Sequence, residues 1–129
     1  MTRRTVLIVD DEDLLRWSLR ERFRQDGYTV LESGTAAAAI AEFGHGDVDV
    51  VLLDCRLPDS DGIAVLQLIK TLSPDVAVIL MTAFPTIENA GDAASYGACD
   101  YLVKPFDLDD VVGAVEKATW PRQGSSTSI

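Results

Sequence analysis

Histidine occurs once in the 129 residues, at His45, and cysteine only twice, at Cys55 and Cys99. Two cysteines without a CxxC pair give no disulfide framework. The lone histidine lies in "FGHGD", where it reads as a solvated loop residue and not as a phosphodonor or ligand. Basic residues are scarce: 11 Lys and Arg stand against 21 Asp and Glu, a formal net charge of -10. Binding a phosphate backbone needs clustered Lys and Arg, so direct nucleic-acid binding is not expected. The acid surplus suits a divalent cation, a basic partner or plain solubility, and charge alone selects none of these. Long apolar runs are also missing. Arg3 and Arg4 lead only into Val6 to Val9, too short for a signal peptide. No stretch approaches a membrane span. These absences point to one reduced, soluble, cytoplasmic domain with a single hydrophobic core.

What is present is a regular alternation. "TVLIV" reads as a first strand, and its acidic sequel Asp10 to Asp13 begins a helix over Leu14 to Gln25. Leu15, Leu19 and Phe23, four residues apart, give that helix one apolar face, and Gly27 ends it. "YTVLES" supplies a second strand and "TAAAAIAEF" a helix closed by Gly44 and Gly46. "DVVLLD" is a third strand, "GIAVLQLIKTL" a helix, and "DVAVILMTA" a fourth strand. "TIENAGDAASYG" is a weak helix loosened by Gly91, "CDYLVKPF" a fifth strand, and "DLDDVVGAVEKATW" a last helix. Residues 121–129, "PRQGSSTSI", have the composition of a flexible tail or the start of an interdomain linker after a domain filling residues 1–120. Strands alternating with helices predict an α/β fold, a doubly wound five-stranded parallel sheet with helices on both faces.

In such sheets chemistry gathers outside the carboxyl ends of the strands. The third strand drives four apolar residues, Val50 to Leu53, straight into the carboxylate Asp54. Applied to the other strands, the same rule delivers Asp10 and Asp11, Thr82, and Lys104. Singly, each has a plain explanation: strand-end Asp residues form turns, acids begin helices, and surface lysines are solvated. Their joint placement at four strand ends is what those explanations do not predict. Clustered carboxylates repel and raise one another's pKa, and a hard cation such as Mg2+ relieves them. A lysine and a hydroxyl opposite the metal would stabilise the remaining oxygens of a phosphoryl group.

"VLIVDDE", "VDVVLLDCRLPDSDG", "ILMTA" and "DYLVKPF" together resemble the receiver domain of two-component response regulators, in order and at the family's spacing. "LLRWSLRERF" and "GACDYLVKPF" look most like receivers of NtrC-type enhancer-binding activators. The resemblance covers roughly Arg4 to Thr119 and implies strand order 2-1-3-4-5, the flavodoxin-like receiver fold. It implies that Asp54 accepts a phosphoryl group from a sensor histidine kinase. Asp11 and Asp54 would ligate Mg2+ directly, Asp10 mainly through water, and Arg56 through its backbone carbonyl. Lys104 would pair with Asp54, Thr82 would swing its hydroxyl to the phosphoryl group, and Tyr101 would turn inward behind it. Kinase docking would use the exposed side of the first helix near Leu14, Leu15 and Ser18, with Pro105 and Phe106. Output, transcriptional in such regulators, would pass to a partner domain or second copy through the face of helix four, strand five and helix five, with Gly91 making helix four mobile.

The motif also raises the odds of a cis bond at Lys104-Pro105. Cys55 reads as a small packed residue and not a redox centre. Arg56 and Phe84, each two residues after a site residue, are bulky enough to hinder an attacking water. Rival readings are an unphosphorylated interaction module and a Mg2+-dependent phosphohydrolase. The latter typically carries a second acid where this chain has Arg56. A flavin domain is weakest, because no Ser/Thr/Gly-rich loop follows the first strand.

Overall fold

The computed structural model describes residues 4–119, and all of their side chains but those of residues 45 and 87–89. The elements run β1 Thr5–Val9, α1 Asp13–Gln25, β2 Thr29–Ser33, α2 Ala36–His45, β3 Val50–Asp54, α3 Gly62–Leu72, β4 Ala77–Thr82, α4 Ile87–Ser95, β5 Asp100–Val103 and α5 Leu108–Thr119. All sheet pairings are parallel and the order is β2-β1-β3-β4-β5, as the alternation and the resemblance led us to expect.

The period-two pattern of the strands explains the layers, because successive side chains leave opposite faces of a sheet. Leu7, Val9, Val51, Leu53, Val78 and Leu80 point to one side, where α2 adds Ala39, α3 adds Leu66 and Ile69, and α4 adds Ala93. Val6, Ile8, Val50, Leu52, Ile79 and Met81 point to the other, where they meet Leu19 and Phe23 of α1 and Val111 and Val115 of α5. Every residue of β3 and β4 is buried, as a parallel strand covered on both faces requires.

Several boundaries differ from the sequence reading. Gly44 does not close α2, which continues to His45 with Gly46 as its C-cap. The alanine-rich run carries the helix over a glycine whose Cβ position is open. His45 is therefore the last residue of a helix and not a loop residue. Gly91 lies inside α4, where the sequence reading placed it. β5 stops at Val103, so Lys104 stands one residue beyond the strand, held by its N–H to the Thr82 carbonyl at 2.7 Å. Gly27 does end α1, in the left-handed conformation at φ 92° that glycine alone adopts freely. The tail from residue 121, and the last residue read into the fifth helix, lie outside the described residues.

The β3–α3 loop is fastened at several points. Cys55 N–H donates to the Met81 carbonyl at 2.9 Å, and Gly62 N–H returns to the Cys55 carbonyl at 2.9 Å. The Asp61 carboxylate caps α3 by accepting from Ile63 N–H at 2.7 Å. The Asp59 carboxylate reaches across to α2 and accepts from Ala36 and Ala37 N–H at 2.7 and 3.0 Å. Gly62 is required by close approach: a Cβ there would lie 2.5 Å from the Asp54 carbonyl oxygen and 2.7 Å from Cys55 Cα. Gly62→Ala should therefore cost roughly 1–3 kcal/mol, the range for forced backbone shifts in a packed site, read as a lower urea midpoint at unchanged m-value. A midpoint equal to wild type would show that α3 does not seat against the end of β3 in this way.

Candidate functional site: an acidic pocket at the carboxyl rim of the sheet

Four parallel strands bring their carboxyl ends to one rim. β1 presents Asp10, which is fully buried and fixed from several directions. Its Oδ1 accepts from Glu12 N–H at 2.9 Å and its Oδ2 from Lys104 Nζ at 2.8 Å. Its carbonyl accepts from Arg16 Nη1 at 2.7 Å, and its N–H donates to the Ser33 carbonyl at 3.1 Å. β3 presents Asp54, only 7% exposed. Its Oδ1 accepts from Arg56 N–H at 3.2 Å and its Oδ2 from Lys104 Nζ at 3.3 Å. Asp11 sits beside them, exposed. Carboxylate oxygens of Asp10, Asp11 and Asp54 lie within 4.8 Å of one another.

Lys104 closes the opposite side. Its ammonium contacts three carboxylates, those of Asp10, Glu12 and Asp54, at 2.8, 3.0 and 3.3 Å. Burial works to lower its pKa, but the hydrogen bonds to Asp10 and Glu12 outweigh it and hold the lysine charged. Asp54 is shifted the other way. Burial raises its pKa, the Asp10 charge adds to this, and the Arg56 N–H and Lys104 only partly offset it. Thr82, at the end of β4 and nearly fully buried, accepts from Phe84 N–H at 3.0 Å. Register pairs Asp54 with Met81, which puts Thr82 one residue further along the adjacent strand. Together these groups form a pocket of buried acids facing one fixed cation, with a hydroxyl at its edge. Such a pocket is suited to neutralising the charge of a phosphoryl group.

The same pocket marks the family. Residues 6–116 match the response regulator receiver domain. The chain belongs to that family. It is 39% identical over 118 residues to the DNA-binding transcriptional regulator NtrC of Escherichia coli K12, covering 92% of this chain and 25% of that protein. It is 40% identical over 113 residues to the regulatory protein AtoC of the same strain, covering 88% of this chain and 24% of that protein. The receiver thus spans about a quarter of the length of the curated relatives it matches. Among solved structures, it superposes on a CheY-like response regulator receiver domain protein from Methanospirillum hungatei JF-1 with a TM-score of 0.92, at 25% identity, over 96% of this chain and 99% of that one.

The remaining residues singled out in the sequence fall around this receiver pocket as follows. Lys104-Pro105 is cis. Cys55 is buried, and burial together with the Asp54 charge pushes its thiol up to about 11, so it packs as a neutral thiol. Tyr101 is half-buried against the α3 side of the core; its hydroxyl is shut off from solvent without a hydrogen bond of good geometry, although the Thr86 backbone acts on it electrostatically. Arg56 and Phe84 are both exposed and meet each other: the guanidinium carbon stands 4.3 Å from the ring centroid, a cation–π pair at the mouth of the pocket.

On α1, Leu14 is 75% exposed, whereas Leu15 packs against the α1–α5 core and does not belong to the exposed side. Ser18 is half-buried and donates to the Leu14 carbonyl at 3.1 Å. Pro105 is exposed and Phe106 packs against the same core as Leu15. Trp17, 51% exposed and one turn after Leu14, was not singled out by the sequence, although a tryptophan off the apolar stripe was a usable signal. Glu12 and Arg16 were also missed, and both hold the pocket directly. Among the described residues no helix is long and apolar enough to cross a membrane.

The upward shift of Asp54 fixes a sign. A carboxyl whose folded pKa exceeds its unfolded value favours the fold when protonated and loses that contribution as pH rises through the folded pKa. Ionised Asp54 therefore opposes folding at neutral pH. In metal-free buffer Asp54→Asn should melt above wild type at neutral pH, and the gap should close as pH falls toward 3.8, the ordinary value for this group. Melting curves of the two proteins across that range check this; a gap that widens on acidification would contradict the assigned sign.

Proposed function

We propose that this receiver accepts a phosphoryl group on Asp54 from a phosphohistidine of a sensor kinase, with Mg2+ as cofactor. The observation that carries the reading is the buried Asp54 carboxylate standing between a fixed ammonium and two further acids. The donor set suits the metal. Three carboxylates with oxygens within 4.8 Å are hard ligands with too much like charge to sit together unrelieved. Asp11 and Asp54 would hold the ion directly, Asp10 through water, and Arg56 by its carbonyl. When bound, the metal supplies positive charge against phosphoryl oxygens.

The chain's own residues do the rest. A carboxylate oxygen of Asp54 forms the new P–O bond as the P–N bond to the kinase histidine breaks, and that nitrogen keeps the electron pair. Lys104, already 3.3 Å from Asp54, needs little movement to pair with the transferred oxygens. Thr82 turns its hydroxyl from the Phe84 N–H toward the phosphoryl group, and the Tyr101 ring follows, a two-state element of the kind a switch requires. Docking of the kinase uses Leu14, with Trp17 beside it, and Pro105; Leu15, Ser18 and Phe106 support that surface from beneath. The α4–β5–α5 face then carries the signal to an output domain, transcriptional by analogy with the NtrC-type relatives, or to a second copy. On this reading residues 1–120 form the receiver, residues 121–129 begin a linker, and the protein works in the cytoplasm. It promotes only its own phosphorylation and dephosphorylation and turns over no other substrate.

Intact-mass measurement after incubation with acetyl phosphate and Mg2+ tests this. One phosphoryl adduct should appear, and be lost in Asp54→Asn and with chelator. No adduct on folded protein with Mg2+ bound would favour an unphosphorylated interaction module instead. The Arg56–Phe84 pair lies across the approach of a hydrolytic water. Replacing both by alanine should speed loss of the adduct by roughly tenfold, equivalent to about 1.4 kcal/mol of barrier. An unchanged decay rate would remove these two side chains from control of the lifetime.

A further inference from the structure

β5 is an outer strand of the sheet, and between it and α5 runs a groove of about 460 Å3. Its apolar lining includes Tyr101, Val103 and Gly113, and Val103 is 45% exposed. Gly113 is the unexpected member. It sits in the middle of α5, where glycine costs about 1 kcal/mol relative to alanine. Gly62 repays that kind of cost through close approach, but a Cβ at Gly113 would meet nothing within 4 Å. The fold has no use for a bare backbone there. A side chain arriving from outside does.

The charged lining is unbalanced. Asp100, Asp109 and Asp110 face the groove, with Lys117 as the one cation in its lining among the described residues. Arg22 engages Asp109 at 2.9 Å. Among the described residues neither Asp100 nor Asp110 takes part in an ion pair. A second copy would bring the same surplus of acids, on a chain of formal charge -10, against this lining. A basic segment meets it with the complementary sign.

We propose that the β5–α5 groove docks a basic segment of a partner protein, which seats an apolar side chain against Gly113 and Val103 and sets Lys or Arg beside Asp100 and Asp110. This rests on reading the α4–β5–α5 face as the output face, but it needs no phosphoryl transfer, because the groove is open in the structure described. The test uses the whole chain without phosphodonor and a fluorescent peptide of alternating lysine and leucine, with its glutamate–leucine counterpart as control. The lysine peptide should bind saturably and the glutamate peptide should not. Gly113→Leu should weaken binding by about tenfold, the scale of one seated apolar side chain, while melting at or above wild type because the helix gains propensity. Asp100→Asn with Asp110→Asn should also weaken binding and flatten its salt dependence, whereas Glu42→Gln with Asp47→Asn, which removes equal charge elsewhere, should not. Equal binding to wild type and Gly113→Leu, or equal weakening by both charge pairs, would reduce the effect to general attraction and overturn the proposal. So would a concentration-dependent dimer that Gly113→Leu abolishes, which would make a second copy the occupant. A missing phosphoryl adduct leaves all of these readouts intact, so the two failures are distinct.

Discussion

The ammonium of Lys104 is the contact on which the pocket depends. It joins Asp10, Glu12 and Asp54 across sequence separations of 94, 92 and 50 residues, and so ties the ends of β1 and β3 to the residue following β5. Without it, a fully buried Asp10 would face a nearly buried Asp54 with no cation between them, an arrangement that proteins do not tolerate cheaply. The lysine contacts Asp54 at the longest of its three distances, so of the three carboxylates it holds that of Asp54 least firmly. A charge that is shared in this way redistributes when the charge on one of its partners changes.

The scaffold explains why so little movement is needed. Asp10 is fixed by its amide, its carbonyl and both carboxylate oxygens. The loop after Asp54 is fastened to β4 through Cys55, to α3 through Gly62 and to α2 through Asp59. Side chains held this way reach a productive geometry without further ordering, which is what the proposed phosphoryl transfer would ask of a pocket with no strong base. Thr82 ends β4, and its hydroxyl accepts from the Phe84 N–H. It is the group whose proposed role requires the most motion, whereas Lys104 already stands 3.3 Å from Asp54.

Much of this was legible in the sequence. Buried parallel strands are continuous apolar runs, so Val50 to Leu53 announced β3, and the rule about carboxyl ends brought Asp10, Asp11, Asp54, Thr82 and Lys104 to one rim. Helix ends were less legible. Gly44 looked like a stop, yet a glycine in the last turn of an alanine-rich helix has too small a penalty to end it. Leu15 was misplaced because adjacent leucines at positions 14 and 15 look alike until the helix is docked: one is exposed and the other packs inward. Glu12 and Arg16 escaped because their roles are set by partners distant in sequence or by backbone atoms. The stacking of Arg56 on Phe84 likewise joins two loops that no local pattern connects.

The sheet also acts as a wall between two separate cores. α1 and α5 share one set of buried side chains, and α2, α3 and α4 share the other. A displacement of α4 therefore loosens the packing of its Ala93 in the core that holds Leu80, while Leu19, Phe23 and Val115, on the far side of β3 and β4, keep their neighbours. On the proposed reading, the α1 surface that would dock a kinase is separated from α4 by the thickness of the sheet. A domain working as proposed would keep one face constant for its kinase while α4 alters the opposite side of the sheet.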